Sequence, residues 1–533
     1  MRTRAQTSER KLRGAYYTPD SLVDACIELA TARCEGNSRR WLEPSSGDGA
    51  FIRGLGRRGL APELLGVEIN EADAAACGQA LLDANCSGAV LHESFFRWLG
   101  RQREAEFDVV VGNPPYVRYQ NLDSGERSCA EQALARLGLA PQGVANAWVL
   151  FAVLAIARLR VGGSFALVLP FELISTHSAG LVREFLLREC EALCIELVPR
   201  GGVGSVVQDV VLVAGRRAAP ASRRSIELRE GAASWIWTRD VGTTPWSSCL
   251  LDPSGFAAYE HARELAWVRK LGRLARVQVA IVTGANEFFT VNAETLARFE
   301  LHAWARPLLP KTSYARGLRV TQQDVEQAAD DGAPTHLLDF AGGPEPMGKA
   351  LDYLRTGEDL GLHGRFKCRT RSPWYAVPQV QRGSLLLPKR SHRHHRLLLN
   401  EAQVYTTDTI YRGEPLAGVD GRALVAAFHN SLTLLSAELE GRSYGGGVLE
   451  LTPSEVARLL VPSCTDSAGW LEELDAISRT HGGQLDAEDR LAAATDQRIA
   501  AVLPELGELL PALAQAREQI RSRRFGRPLR GGQ

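Results

Sequence analysis

The segment Asn113-Pro114-Pro115-Tyr116 holds the residue types and spacing most suited to chemistry on an amine. It follows an apolar run, 109–111, which predicts a buried strand. Proline at 114 biases Asn113 away from the α region, and both proline rings stiffen the loop. The Asn113 carboxamide oxygen and the Pro114 carbonyl can then accept hydrogen bonds from one exocyclic amino group, which draws its protons out of the ring plane. The lone pair is thereby freed for attack on an electrophile, and Tyr116 offers a face on which a planar base can stack.

Two carboxylates at strand ends indicate a nucleoside site. Glu43 ends a short strand and is followed by Gly47 and Gly49, where the backbone can pass close to a ligand before a helix begins. Glu68 ends the next strand, where a carboxylate can accept hydrogen bonds from both hydroxyls of a ribose. Because the segment lacks a full G-x-G-x-x-G phosphate cradle, a nucleoside without a pyrophosphate fits better than NAD or FAD. A tight turn and a solvated strand end are the ordinary explanations of the same residues.

These residues must be positioned by the elements of the first 225 residues, which alternate between short apolar runs and helical stretches. The pattern predicts helices at 22–32, 72–84, 147–160 and 181–191, and strands at 64–68, 107–112 and 163–169. Strands rich in Val and Leu and separated by helices are typical of a parallel, doubly wound sheet. We therefore expect an α/β, Rossmann-like domain over residues 1–225.

The rest of the chain has a different texture. From 240 to 465, proline, glycine and aromatic residues are frequent, which predicts a loop-rich, mixed α+β second domain. Residues 466–533 show apolar positions at helical spacing and end in a basic tail, so we expect a helical C-terminal segment.

The overall composition is that of an ordinary globular protein. The chain has 533 residues, 45% of them hydrophobic and 23% charged, with 62 basic and 62 acidic residues, which excludes a mainly disordered chain. No apolar run is long enough for a membrane span, and the N-terminus lacks the apolar region of a secretory signal. The ten cysteines include no CxxC pair, so we expect reduced thiols in a cytoplasmic protein and no metal site.

Two motifs resemble those of a known family. Residues 113–116 reproduce the NPPY motif of amino-methyltransferases that act on adenine N6, and residues 14–19, Gly-Ala-Tyr-Tyr-Thr-Pro, resemble the G-x-[YF]-[YF]-T-P motif of the gamma class. The order of the motifs is also that of this class, the TaqI-like DNA adenine methyltransferases of restriction–modification type. The resemblance implies an S-adenosylmethionine-dependent methyltransferase domain followed by a DNA target-recognition domain.

Carried over by position, the resemblance implies S-adenosylmethionine as the cofactor. It makes Tyr17 and Thr18 contacts to the methionine part of the cofactor. It also places Glu43 and Gly47 around the cofactor and Glu68 on its ribose.

The sequence departs from the family pattern at two places. In the family, an Asp-Phe pair after the third strand holds the cofactor's adenine; here Phe95 fits the aromatic residue, but the carboxylate is replaced by Ser94 or displaced to Glu93. The family usually supplies an aromatic residue after the strand that ends at Leu197, to sandwich the target base. Residues 198–204 of this chain contain none.

A basic cluster in the second domain is the candidate DNA surface. The residues proposed for phosphate and base contacts are Arg369, Arg371, Trp374, Lys389, Arg390 and Arg393. A solvated charged face is the ordinary alternative. Three nearby histidines, at 392, 394 and 395, lack Cys or carboxylate ligands at suitable spacing, so we expect no metal site there.

The leading interpretation is a site-specific DNA adenine-N6 methyltransferase of a restriction–modification or phage-defence system. Its expected partner is double-stranded DNA, with a separate restriction endonuclease or defence-complex subunits as further partners. Because 13 residues precede Gly14, we expect no nuclease domain there and hence modification without cleavage. Two alternatives stay open. The first is a protein glutamine-N5 or RNA methyltransferase, because a glutamine carboxamide presents a similar amine. The second is a catalytically weakened DNA-binding subunit of a defence complex, because the sequence departs from the family pattern at 94 and 198–204.

Overall fold

The computed structural model of the protein describes residues 18–34, 39–101, 106–198, 210–464, 467–481, 484 and 486–525. The chain consists of two compact units, Met1–Leu250 and Leu251–Gln533. In the described part of the chain, no helix is both long enough and apolar enough to cross a membrane.

Among the described residues, a sheet of nine strands forms the centre of the first unit. The strands are β1 (Arg40–Glu43), β2 (Glu63–Glu68), β3 (Ser87–His92), β4 (Phe107–Gly112), β5 (Leu159–Pro170), β6 (Cys190–Leu197), β7 (Val210–Arg217), β8 (Arg223–Glu230) and β9 (Ala233–Asp240). The helices described in this unit are α1 (Asp20–Thr31), α2 (Ala50–Arg57), α3 (Glu71–Asp83), α4 (Phe95–Arg101), α5 (Ser124–Arg136), α6 (Trp148–Ile156), α7 (Glu172–Ser175) and α8 (Gly180–Glu189).

The strand order is β3-β2-β1-β4-β5-β7-β6-β8-β9. Strands β1 to β5 pair in parallel, whereas β7 is antiparallel to both β5 and β6. The chain moves outward from β1 to β3 and returns to β4 beside β1, so the strand order reverses between β1 and β4. The doubly wound α/β fold is thereby confirmed, with the difference that its far half contains antiparallel strands.

Burial explains why these segments adopt their observed structures. The three valines of β4, Val109, Val110 and Val111, are completely buried, as expected for a central strand covered on both faces. Every residue of α6 is buried, which fits a helix that is apolar on all sides. The helix expected at 147–160 ends earlier, because Leu159 pairs with Phe107 and so begins β5.

The sheet also runs further along the chain than the expected end of the first domain at 225. That position lies inside β8, which pairs in parallel with β6 and antiparallel with β9. The alternating burial of β8 indicates why: one face, including Ile226 and Leu228, packs into the protein while the other is partly exposed.

The second unit combines many helices with short strands. Its described helices are α9 (Pro253–Glu264), α10 (Asn286–Phe289), α11 (Ala293–Arg298), α12 (Gln322–Asp330), α13 (Lys349–Asp359), α14 (Phe366–Arg369), α15 (Gly421–Phe428), α16 (Ser431–Glu440), α17 (Pro453–Val456), α18 (Leu471–His481), α19 (Ala487–Val502) and α20 (Pro504–Arg524). Its described strands are β10 (Val268–Lys270), β11 (Ala275–Gln278), β12 (Thr290–Val291), β13 (Ala305–Pro307), β14 (Arg319–Val320), β15 (His336–Leu338), β16 (Leu385–Pro388), β17 (Arg390–Ser391), β18 (Leu398–Asn400), β19 (Ile410–Pro415), β20 (Arg442–Tyr444), β21 (Val448–Glu450) and β22 (Leu460–Pro462).

The C-terminal helices belong to the body of this unit. Helix α20 packs against α9, α16 and α19. Near its end, the guanidinium of Arg524 forms a buried ion pair with Glu438 of α16 at 2.8 Å. The expected helical character of the C-terminal segment is therefore present, and its helices share a core with the rest of the second unit.

Candidate active site

A cavity of about 430 Å³ lies at the carboxyl ends of β1, β2 and β4, in the first unit. This is the edge of the sheet at which the strand order reverses, where open α/β sheets bind their ligands. The cavity falls within the usual size range of small-molecule sites. Its walls come from the turns that follow these strands and from α5 and α6.

The turn between β1 and α2 forms part of the cavity wall. Gly49 has φ +84°, a left-handed conformation that favours glycine. A side chain there would also place its Cβ 3.1 Å from the Cβ of Ala80, on the neighbouring helix α3. The positive φ and the close packing of α2 on α3 therefore both favour glycine at this position.

Glu68 is held at the end of β2 by two backbone amides. The N–H of Gly47 donates to its Oε2 at 2.9 Å, and the N–H of Asn70 donates to its Oε1 at 2.8 Å. Each carboxylate oxygen has a further lone pair available for a ligand. Burial raises the pKa of Glu68 above its ordinary value. The carboxylate is thus fixed in orientation in the wall of the cavity.

Glu43 is a buried acid without a partner at one of its oxygens. Its side chain is 1% exposed, and its Oε2 has no hydrogen-bond partner among the described residues. Burial, followed by the nearby charge of Glu68, holds the pKa of Glu43 well above its usual range. A buried acceptor facing a cavity is matched by a donor or cation on a ligand.

The loop after β4 carries Asn113 into the cavity. Gly112, which precedes it, has φ +152°, a conformation that side chains rarely allow. The hydroxyl of Ser45, in the turn after β1, donates to the backbone carbonyl of Asn113 at 3.3 Å. The asparagine loop and the glycine turn are therefore joined directly.

Both ends of the Asn113 carboxamide have partners. Its Nδ2 donates to Thr18 Oγ1 at 3.1 Å, and its Oδ1 accepts from the hydroxyl of Tyr116 at 3.0 Å. Tyr116 does not line the cavity; its ring is half-buried against the core of the first unit. Its expected role in stacking on a base stays a prediction, and the structure adds a contact through which it orients Asn113.

Most of the residues singled out from the sequence meet in this cavity. Those that line it are Thr18, Glu43, Gly47, Glu68, Glu93, Ser94, Phe95, Asn113, Pro114 and Pro115. Tyr17 and residues 199–204 lie outside the described residues. The expected cofactor and catalytic positions are therefore close together in space, although their individual roles stay predictions.

The structure adds lining residues that the sequence analysis missed. Glu126 and Phe151 come from α5 and α6, and Ile69, which is 57% exposed, follows Glu68. The one sequence signal for Glu126 is its capping box with Asp123, which marks the start of a helix but not where that helix packs.

One end of the cavity combines aromatic rings with an acid. The rings of Phe95 and Phe151 stack with centroids 5.2 Å apart. The hydroxyl of Ser94 donates to Glu126 Oε1 at 2.5 Å, whereas the carboxylate of Glu93 pairs with Arg101. The two acids near the expected adenine position thus have different surroundings.

The candidate DNA residues have differing environments within the second unit. Arg369 is exposed, on the one-turn helix α14, where its guanidinium lies 5.4 Å from the ring centroid of the exposed Phe366. Arg371, in contrast, donates to the backbone carbonyls of Val282 and Thr283, at 2.7 Å each. Arg371 therefore makes hydrogen bonds within the second unit, and its contact with DNA stays a prediction.

The other members of the cluster also make contacts within the unit. The indole of Trp374 packs against a core cluster and donates to Glu358 at 3.1 Å. Lys389 and Arg390 both pair with Glu450, and Arg390 is still 62% exposed at its side chain. Arg393 is half-buried. As DNA contacts, these positions stay predictions.

Two of the three histidines of this region are inside the protein, and His392 is exposed. His394 and His395 are buried, and burial lowers the pKa of each to about 4. No group of three or more potential metal ligands occurs among the residues for which positions are described.

Comparison with known proteins gives two matching family models. The model of the Eco57I restriction-modification methylase matches residues 70–196, and that of the C-terminal domain of the Type II methyltransferase M.Eco57I matches residues 243–499. The two matches are consecutive and together span more than half of the chain. The first includes the asparagine loop, and the second covers most of the second unit.

Similar proteins agree with these models. The Type II methyltransferase M.XamI of Xanthomonas campestris pv. amaranthicola is 22% identical over 84% of this chain and 85% of its own length. M.AccI of Acinetobacter calcoaceticus is 19% identical over the same shares of the two chains. In fold, the chain resembles the Type IIL restriction-modification enzyme MmeI, solved in complex with DNA, with a TM-score of 0.55 and 12% identity over 97% of this chain and 76% of that one. The chain belongs to the Eco57I family of Type II restriction-modification methyltransferases.

Proposed function

We propose that this protein methylates the exocyclic N6 of adenine in DNA, with S-adenosylmethionine as the methyl donor. The observation that carries the proposal is the position of Asn113, oriented on both sides, in the wall of a cavity that also contains Glu43 and Glu68. The membership of the family supports methylation of DNA as the coarser part of this function.

The cavity suits the proposed cofactor in three respects. Glu68, fixed by two amides, has free lone pairs for the hydroxyls of a ribose. The partnerless Oε2 of Glu43 can accept from an ammonium group. The rings of Phe95 and Phe151 form an apolar wall for a planar base. Bound there, S-adenosylmethionine supplies a methyl group that its sulfonium has already activated.

The residues of the asparagine loop act on the target amine. The Asn113 oxygen and the Pro114 carbonyl accept its two hydrogen bonds, which reduces conjugation of the nitrogen lone pair with the ring. Because the rigid loop holds these acceptors before the substrate arrives, the rate gain comes mainly from orientation. A base within a duplex cannot reach this loop, so the adenine must be flipped out, at a cost of a few kcal/mol.

Transfer of a tritiated methyl group to DNA tests the proposal. The substrate is DNA from a host without methyltransferases, and the product nucleosides are identified by mass spectrometry. We expect N6-methyladenine with the wild-type protein and about a 100-fold or greater loss with Asn113→Ala, by analogy with the removal of one preorganised hydrogen-bonding group from an active site. S-adenosylhomocysteine binding should persist in this variant.

Parallel reactions with protein and RNA acceptors address the other open functions. Methylation of either acceptor in place of DNA would overturn the proposal, as would a methylated base other than adenine. Binding of DNA without any methylation, under conditions in which the cofactor binds, would indicate the catalytically weakened DNA-binding subunit instead.

A further inference from the structure

Glu126 is a buried acid of the cavity that has no role in the proposed mechanism. It lies in the first turn of α5 and is 9% exposed, yet its side chain helps to line the cavity. An acid is rarely buried unless a partner satisfies it.

The hydrogen bonds of Glu126 fix its direction but leave acceptor capacity. Ser94 Oγ donates to its Oε1 at 2.5 Å, and the backbone N–H of Asp123 donates to its Oε2 at 3.4 Å. A carboxylate has about four acceptor positions, so at least one remains on each oxygen. In the part of the chain that the structure describes, no basic side chain lies within ion-pair distance of Glu126.

The neighbouring residues form a flat apolar wall beside this acid. Phe95 follows Ser94 in the chain, and its ring stacks on that of Phe151 with an interplanar angle of 18°. Leu122, just before α5, lines the same end of the cavity. An acceptor at the edge of an aromatic wall suits a planar ring that carries an amino group.

Glu93 is a weaker candidate for the same role. Its carboxylate also lines the cavity but already pairs with Arg101, whose charge competes with a neutral amine for its oxygens. Ser94, in turn, uses its hydroxyl to hold Glu126. The position at which a carboxylate is missing from the sequence motif is therefore adjacent, in space, to a carboxylate from a different helix.

We infer that Glu126, oriented by Ser94, accepts the hydrogen bond of the exocyclic amine of the cofactor's adenine and so selects an adenosyl cofactor. This inference rests on the proposed function, since it assigns one contact of the proposed cofactor. Ser94 acts as the positioning residue of this contact.

A pair of product analogues provides the test without any turnover. S-adenosylhomocysteine carries the amine, whereas S-inosylhomocysteine has an oxo group at the same position, which cannot donate to a carboxylate. Isothermal titration of the full chain should show that the wild type binds the adenosyl compound about 10- to 100-fold more tightly, the range expected for one hydrogen bond to a charged group.

The variant Glu126→Gln should remove this preference. Glutamine keeps the capping interaction with residue 123, so α5 should stay intact. Its amide can donate to the oxo group, so the affinity for S-inosylhomocysteine should stay level or increase while that for S-adenosylhomocysteine falls about 10-fold or more. Ser94→Ala should reduce the preference by a smaller factor, because Glu126 remains but loses its orienting donor.

Two further variants make the outcomes distinct. Glu131→Gln changes an exposed acid of the same helix, and Glu93→Gln changes the competing acid; both should keep the wild-type preference. An unchanged preference in Glu126→Gln would overturn the inference, and its loss in Glu93→Gln would assign the contact to Glu93. If thermal unfolding shows Glu126→Gln to be unfolded, Ser94→Ala decides, and an unchanged preference there overturns the inference. Failure of the wild type to bind either compound would count against the proposed function itself.

Discussion

The hydroxyl of Tyr116 donates a hydrogen bond to the carboxamide oxygen of Asn113 at 3.0 Å, while the nitrogen of the same carboxamide donates to Thr18. The two contacts hold the carboxamide of Asn113 at both of its ends. The oxygen keeps a second lone pair for a substrate amine. Tyr116 is therefore a positioning residue for Asn113, in addition to its predicted role in stacking.

Tyr116→Phe separates these two roles, because phenylalanine keeps the ring and removes the hydroxyl. We expect a 3- to 10-fold lower rate of single-turnover methylation, as for the loss of one hydrogen bond between neutral groups, about 1 kcal/mol. The affinity for S-adenosylhomocysteine should not change. Tyr119→Phe is the matched control, since it removes an exposed hydroxyl that bonds to Glu131. Equal rates for the two variants would limit Tyr116 to stacking.

The buried carboxyl of Glu43 should make cofactor binding release a proton. Its pKa is raised by burial, so the free protein keeps it protonated at pH values at which an ordinary glutamate is ionised. A cationic ammonium beside it favours the ionised form, and the proton leaves to the buffer. The affinity for S-adenosylhomocysteine should consequently increase with pH until Glu43 ionises in the free protein.

Calorimetric titrations in two buffers of different ionisation enthalpy measure this proton. Glu43→Gln should release fewer protons than the wild type and show a flatter pH dependence of affinity. Glu71→Gln, which changes an exposed acid of α3, should behave like the wild type. The same raised pKa also affects folding stability. Because the carboxyl of Glu43 ionises first in the unfolded chain, the free energy of unfolding falls as pH increases from about 4.5 toward the raised pKa. Glu43→Gln should lack this loss. An identical proton count in the wild type and Glu43→Gln would show that Glu43 does not meet the ammonium.

The parts of the site that the sequence predicted are those fixed by local patterns. Glu43, Glu68 and Asn113 each follow a short apolar run, and the carboxyl ends of parallel strands meet at one edge of a sheet. A strand assignment was therefore enough to bring these residues together. The hydrogen-bond partners of Asn113 were not predictable, because the conformations of loops bring Thr18 and Tyr116 to it.

The parts that the sequence could not supply depend on packing between distant elements. Glu126 reaches the cavity because α5 packs on α4, and its distance along the chain from Ser94 gives no sign of this contact. Likewise, a run of basic residues does not reveal which guanidiniums face inward. Arg369 and Arg371 differ by two positions, yet one is exposed and the other bonds to two backbone carbonyls.

Gly49→Ala should destabilise the first unit more than Gly59→Ala does. Both glycines have positive φ, +84° and +65°, so both variants introduce backbone strain. An added Cβ at 49 also meets Ala80 at 3.1 Å, whereas at 59 nothing lies within 4 Å. We expect an additional loss of about 1–3 kcal/mol for Gly49→Ala, as for overpacking. Denaturant unfolding followed by tryptophan fluorescence measures the difference, and equal losses would show that α3 moves without cost.

Arg369 and Arg371 should respond differently when each is replaced by alanine. Arg371→Ala leaves the carbonyls of Val282 and Thr283 without their donor, so we expect a loss of about 1–3 kcal/mol in the stability of the second unit. Arg369→Ala breaks no hydrogen bond described in the structure and should leave the melting temperature within a degree or two. If Arg369 contacts a phosphate, its variant should weaken DNA binding and reduce the salt dependence of the binding constant by about one charge.

Fluorescence anisotropy with a labelled mixed-sequence duplex, repeated at several salt concentrations, measures both effects on binding beside the thermal unfolding of each variant. The exposed position of Arg369 and the inward hydrogen bonds of Arg371 predict that affinity and stability separate cleanly between the two variants. A normal melting temperature combined with lost DNA binding in Arg371→Ala would support the DNA contact that the sequence predicts for Arg371.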